Sequence, residues 1–227
     1  MKLFEIKTNI IKDISLNDKQ KDKKLSNSNQ DWIGNYKSIY TTLGASNHTD
    51  KEREKHDYYA TDSIAIDALL EKATLNLNLW ECACGEGHLS KRLIELGYNV
   101  KSTDLIDRGF GQGGINFLKC YDKFDGDIIT NPPYVLAYEF IEHALALIPN
   151  GRKVFMFLKL QFLEGKSRRV LFDKGYLKTL YVSSSRILCA KNGDFDSMRK
   201  SGGSAVAYGW YEFEKGYNGK PYIEWIN

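Results

Sequence analysis

From Thr61 onward, short apolar runs alternate with stretches of helical spacing, and this alternation restricts the fold more than any other feature. Leu77 to Cys84, Tyr98 to Asp104, Asp127 to Thr130, Lys153 to Leu160 and Leu177 to Ser183 read as strands. A last strand, rich in tyrosine and tryptophan, is predicted over Ala205 to Phe213. Between these runs, Ser63 to Leu75, His88 to Leu96, Leu136 to Ile148 and Gly165 to Lys174 read as helices. Their apolar residues recur three and four apart, as one buried helix face requires. Asp62 or Ser63 is available to cap the first helix, Gly97 closes the second, and Pro149-Asn150-Gly151 stops the third. Strands joined by such helices imply an α/β fold: a mostly parallel sheet covered on both faces.

The 227 residues suffice for one such domain and a short extension. The extension is N-terminal. Asp18 to Lys24 is a charged run, and Ser26 to Gln30 is rich in serine and asparagine. Residues 1–37 therefore read as a mobile arm ahead of a domain at 38–227. No apolar run approaches the roughly 20 residues of a membrane-spanning helix. Met1 to Lys12 lacks a signal-peptide core, so a cytoplasmic location and no membrane partner are expected. Cys82, Cys84, Cys120 and Cys189 form no ligand framework, so they read as small buried hydrophobes and no metal is expected. A net charge of +3 permits a nucleic-acid partner, but a solvated surface explains it equally well.

Two motifs carry chemistry. Trp80 to His88 reads as a strand, a Gly-x-Gly turn at Gly85 and Gly87, then a helix. Such a turn lets a ligand approach the backbone. Asp104 ends the next strand, where a carboxylate can accept hydrogen bonds from ribose hydroxyls. Dinucleotide-binding oxidoreductases share this logic, although Ser90 stands where their third glycine would be. The second motif is more specific: Asp127 to Thr130 runs into Asn131-Pro132-Pro133-Tyr134. The prolines fix the backbone and remove two N–H donors. Carbonyl oxygens of the turn and the Asn131 side chain can then accept both hydrogens of one amino group. Tyr134 offers a flat face for a planar ring. Two acceptors on a conjugated amine favour the pyramidal nitrogen that alkylation needs.

These residues resemble the class I S-adenosylmethionine-dependent methyltransferases, in the amino-methylating branch that carries Asn-Pro-Pro-Tyr. The stretch Leu43 to Thr61, with Asp57-Tyr58-Tyr59-Ala60-Thr61, looks like phage and prophage DNA adenine N6-methyltransferases. The resemblance implies a Rossmann-like, seven-stranded sheet with an antiparallel C-terminal strand, and S-adenosylmethionine as cofactor. It implies that Tyr59, Thr61, Glu81, Cys82, Gly85 and Gly87 meet the methionine end, with Thr61 on its carboxylate. Asp104 is implied as the ribose acid, and Asn116 and Phe117 as contacts of the cofactor's adenine. Asn131, also beside the cofactor, joins Pro132, Pro133 and Tyr134 as the catalytic motif.

The implied activity is methyl transfer to N6 of adenine in DNA, with the base flipped out of the duplex into the Asn-Pro-Pro-Tyr pocket. RNA adenine, a protein glutamine amide, and a non-catalytic cofactor- or DNA-binding subunit are the alternatives. Tyr134 with Phe162 is expected to sandwich the base. Lys159, Lys166, Arg168, Arg169 and Arg186 are candidates for phosphate contacts. The segment Ala190 to Gly203, with Lys191, Arg199 and Lys200, reads as a DNA-contacting flap between two neighbouring strands.

Overall fold

A computed structural model gives the fold, described for residues 59–191, 195, 196 and 206–227. The expected arm at 1–37, Arg199 and Lys200 lie outside the described residues, as does the side chain of Lys191. The chain enters through β1 (Tyr59–Thr61), α1 (Ile64–Leu70), β2 (Asn78–Glu81), α2 (His88–Glu95) and β3 (Asn99–Ser102). It continues through β4 (Asp127–Thr130), α3 (Ala137–Leu147), β5 (Lys153–Lys159) and α4 (Arg169–Asp173). The last part is β6 (Leu177–Ser183), β7 (Cys189–Lys191), β8 (Tyr208–Glu214) and β9 (Tyr222–Ile226).

Seven strands form one sheet in the order β3-β2-β4-β5-β8-β6-β9, and β1 pairs with β7 in a separate ladder. The β2–β3, β2–β4, β4–β5 and β6–β9 pairs are parallel, and β8 runs antiparallel to both β5 and β6. β5 shows why its sequence is continuously apolar. Val154, Met156 and Leu158 join Phe140, Ile141 and Ala144 of α3 on one face. Phe155 and Phe157 point to the other, joining Ile66 and Leu69 of α1 and Leu89 and Leu93 of α2. Both faces are covered, so alternation in direction needs no alternation in polarity. Each such side chain contributes about 1.5–3 kcal/mol of burial.

The chain departs from expectation in four places. The antiparallel strand β8 is not the last; β9 follows it and lies parallel to β6 at the sheet edge. α1 stops at Leu70 rather than Leu75, and the Asp127 carboxylate binds the Asn76 N–H at 2.7 Å, drawing the chain off the helix. The helix expected over Gly165 to Lys174 is a 3-10 turn, Lys166–Arg168, followed by the short α4. Ala190 and Lys191, assigned to a flap, are in β7.

Candidate active site

β2, β3 and β4 run parallel, so their carboxyl ends open into the same crevice, where open sheets bind ligands. At the end of β2 the chain turns through Gly85 (φ 55°) and Gly87 (φ 79°) before α2 begins. Gly87 is required twice over. Its φ is left-handed, and a Cβ there would lie 2.2 Å from Cδ1 of Phe110. Asp104, just beyond β3, braces this turn. One carboxylate oxygen accepts from the Gly85 N–H and the other from the Ile106 N–H, each at 2.8 Å. The expected ribose acid is thus also the tie between the exits of β2 and β3.

Glu81, the last residue of β2, is buried and accepts a hydrogen bond from the Ser90 hydroxyl. Burial is the main reason its pKa is pushed up to about 8. Burial also lowers the His88 pKa. Phe195 stands edge-on to His88, with ring centroids 5.6 Å apart. Asn116 caps the turn Phe117–Lys119: its side-chain oxygen accepts from the Leu118 N–H at 3.1 Å. One lone pair of the expected adenine acceptor is therefore used within the protein. Phe117 is fixed by Trp80 and Phe140, at ring-centroid distances of 5.3 and 5.0 Å.

At the end of β4, the Asn131 amide nitrogen donates to the Tyr59 carbonyl at 3.1 Å and to Thr61 Oγ1 at 2.8 Å. A backbone carbonyl can only accept, so it fixes which way the amide faces. The Asn131 side-chain oxygen is consequently left buried with no hydrogen-bond partner among the described residues. Pro132 and Pro133 follow, and the Pro133 carbonyl accepts from the Leu136 N–H at 2.9 Å. The Tyr134 hydroxyl donates to the Cys189 sulfur at 3.5 Å. Burial raises the Tyr134 pKa well above that of a free phenol, so it is neutral. Its ring lies 6.5 Å from Tyr59 and 6.0 Å from Tyr208, centroid to centroid.

One cleft, about 980 Å³ counted out to its open mouth, unites these parts. Tyr59, Thr61, Glu81, Cys82, Asp104, Asn116, Phe117 and Asn131 to Tyr134 all line it. The glycine turn lies beside it through Cys84 and His88. Leu105, Ile106, Arg108 and Ile115 also line it. They lie in irregular loops, where no periodicity marks them, and sequence reasoning missed them. Among the described residues, no group of three or more His, Cys, Asp or Glu could hold a metal.

Tyr134 also borders a second cavity, with Lys159, Gln161, Phe162 and Arg168. This is where a base was expected to stack, but Phe162 is not a free platform. It is buried among Phe172 and Tyr211, and the Arg168 guanidinium covers it at 4.8 Å. Arg168 is also tied to its own loop. One of its nitrogens donates to the carbonyls of Gln161, Phe162 and Glu164, shaping the loop. Arg169 is exposed and pairs with Asp173 at 2.7 Å. Lys166 and Arg186 are exposed, and the Lys159 ammonium sits 5.2 Å above the Tyr134 ring.

No protein-family model matches the chain, and no curated protein matches it by sequence. Solved structures do match. A protein from Listeria monocytogenes assigned to the class I S-adenosylmethionine-dependent methyltransferases superposes with a TM-score of 0.52 at 16% identity. The match covers 82% of this chain and 70% of that one. A protein from Pyrococcus horikoshii assigned as an RNA methyltransferase gives 0.49 at 14% identity, over 79% and 98% of the two chains. A modification subunit assigned to a type I restriction enzyme of Vibrio vulnificus gives 0.49 at 12%, over 83% and 50%. The chain has the Rossmann-like fold of the class I methyltransferases.

Proposed function

We propose that this protein transfers the methyl group of S-adenosylmethionine to the exocyclic N6 amino group of adenine in DNA. The observation that carries the reading is the unpaired Asn131 side-chain oxygen, in an Asn-Pro-Pro-Tyr turn that lines the cleft. A buried acceptor without a donor costs about 1–3 kcal/mol. An amino hydrogen of the methyl acceptor removes that cost.

The residues fit the cofactor. Glu81 is buried with no ion-pair partner among the described residues, and burial raises its pKa, so an ammonium group of the ligand would favour its ionised form. Asp104 keeps lone pairs for ribose hydroxyls while bracing the turn. When bound, S-adenosylmethionine supplies an electrophilic methyl group on sulfur. The chain's own part is to hold and orient. The Asn131 oxygen accepts one hydrogen of the acceptor amine, and the Pro132 carbonyl accepts the other. That polarises the nitrogen lone pair toward the cleft. Tyr134 bounds the ring plane from the second cavity, with Lys159 above it. Duplex DNA would present its adenine extrahelically.

The test is incubation with S-adenosylmethionine and mixed DNA and RNA, followed by nucleoside mass spectrometry. N6-methyldeoxyadenosine is expected. Methylation confined to ribonucleosides would move the activity to RNA, and no methylated nucleoside would overturn the assignment.

A further inference from the structure

The β1–β7 ladder adds nothing to the main sheet, yet it places Thr61 directly opposite Cys189. Both residues are buried, at 3% exposure. Thr61 Oγ1 accepts from the Asn131 amide nitrogen at 2.8 Å. The Cys189 sulfur lies 3.9 Å from Thr61 Oγ1 and 3.9 Å from the same Asn131 nitrogen. It also accepts from the Tyr134 hydroxyl at 3.5 Å. The first and last residues of the Asn-Pro-Pro-Tyr turn are therefore both held by one cross-strand pair.

We propose that Thr61 and Cys189 are positioning residues for the acceptor amine, setting the direction of the Asn131 amide and the place of the Tyr134 hydroxyl. This rests on the methyltransferase reading above and deepens it. The Asn131 nitrogen has two protons. Tyr59 takes one through its carbonyl and Thr61 takes the other. With both protons placed in the protein, only the oxygen remains for a ligand. Without the Thr61 hydroxyl, only the Tyr59 carbonyl and the weaker contact to the Cys189 sulfur hold the amide, and rotation about its side-chain torsions is freed. Burial pushes the Cys189 thiol up to about 11, so it stays protonated and serves as a soft contact rather than a nucleophile. This differs from the part the sequence resemblance implies for Thr61, a contact to the methionine carboxylate.

The two roles separate in one experiment. Thr61→Val keeps the shape and removes the hydroxyl; Thr61→Ser keeps the hydroxyl. Positioning predicts that Thr61→Val lowers kcat roughly ten- to a hundredfold. Calorimetric affinity for S-adenosylmethionine should change by less than about twofold, since no cofactor contact is removed. The ¹⁵N side-chain amide resonance of Asn131, assigned by its loss in Asn131→Asp, should shift in Thr61→Val, and Thr61→Ser should restore both signal and rate. Weakened cofactor binding with kcat preserved would overturn the proposal, as would an unmoved Asn131 resonance. If Thr61→Val does not fold, Cys189→Ala takes its place: a displaced Asn131 resonance supports the proposal and an unmoved one overturns it. Should the wild type methylate nothing, the activity assignment fails, and the resonance still decides the positioning role.

Discussion

The two sides of the cleft are built on opposite principles. On the glycine-turn side, side-chain acceptors tie down the backbone: Asp104 holds Gly85 and Ile106, and Asn116 holds Leu118. On the Asn131 side, both amide protons of Asn131 are placed, while its side-chain oxygen and the buried Thr130 hydroxyl have no hydrogen-bond partner among the described residues. The first side is a scaffold, stable before anything binds. The second has a deficit that a ligand must fill. Buried polar atoms are almost always satisfied, so an unsatisfied acceptor that lines the cleft in the Asn-Pro-Pro-Tyr turn points to the chemistry.

If the glycine-turn side is a scaffold, damage there should reach folding as well as binding. The largest effect is expected at Gly87. A Gly87→Val chain meets both the left-handed φ and the Phe110 ring, and should lose about 2–4 kcal/mol of stability with no measurable cofactor binding. Thermal unfolding and calorimetry check this. A stable variant with normal affinity would break the comparison. Asp104→Ala should weaken cofactor binding by about 1.5–3 kcal/mol, the range for a charge-assisted hydrogen bond, and lower the melting temperature by unpairing Gly85. Loss of affinity without loss of stability would mean that the brace is not structural.

A smaller effect sharpens the contrast through pH. Glu81 has a pKa of about 8 when folded against 4.5 as the ordinary value. The folded state therefore holds the proton more tightly, and stability should fall as pH rises from about 4.5 to 8. Glu81→Gln should flatten that fall, leaving a residue from Asp127, whose pKa burial also raises. Ligand binding that favours ionised Glu81 should release a proton below pH 8, visible as buffer-dependent calorimetric heat. An unchanged pH slope in Glu81→Gln would remove the buried carboxylate from the account.

Much of this was legible in the sequence because two kinds of signal are local. Strands buried on both faces read as nearly unbroken apolar runs, so Asp127–Thr130 and Lys153–Lys159 fall where the pattern puts them. The turns at Gly85 and Asn131 announce themselves by residues with special backbone demands. What escaped was decided by distant partners. β9 is largely exposed, and its Tyr222, Ile223 and Trp225 give no burial pattern to read. β7 is three residues whose partner, β1, lies far back in the chain. The charge of Arg168 is visible in sequence, but the three carbonyl acceptors of one of its nitrogens are not.

The central claim is that holding the cofactor and presenting the amine belong to different sides of the cleft. Asn131→Ala tests it most directly, with S-adenosylmethionine affinity measured by calorimetry and transfer to DNA measured on the same preparation. The account predicts near wild-type affinity with transfer reduced by at least about a hundredfold, the scale for losing one preorganised transition-state hydrogen bond. Transfer at the wild-type rate, or lost cofactor binding in a normally folded variant, would contradict it.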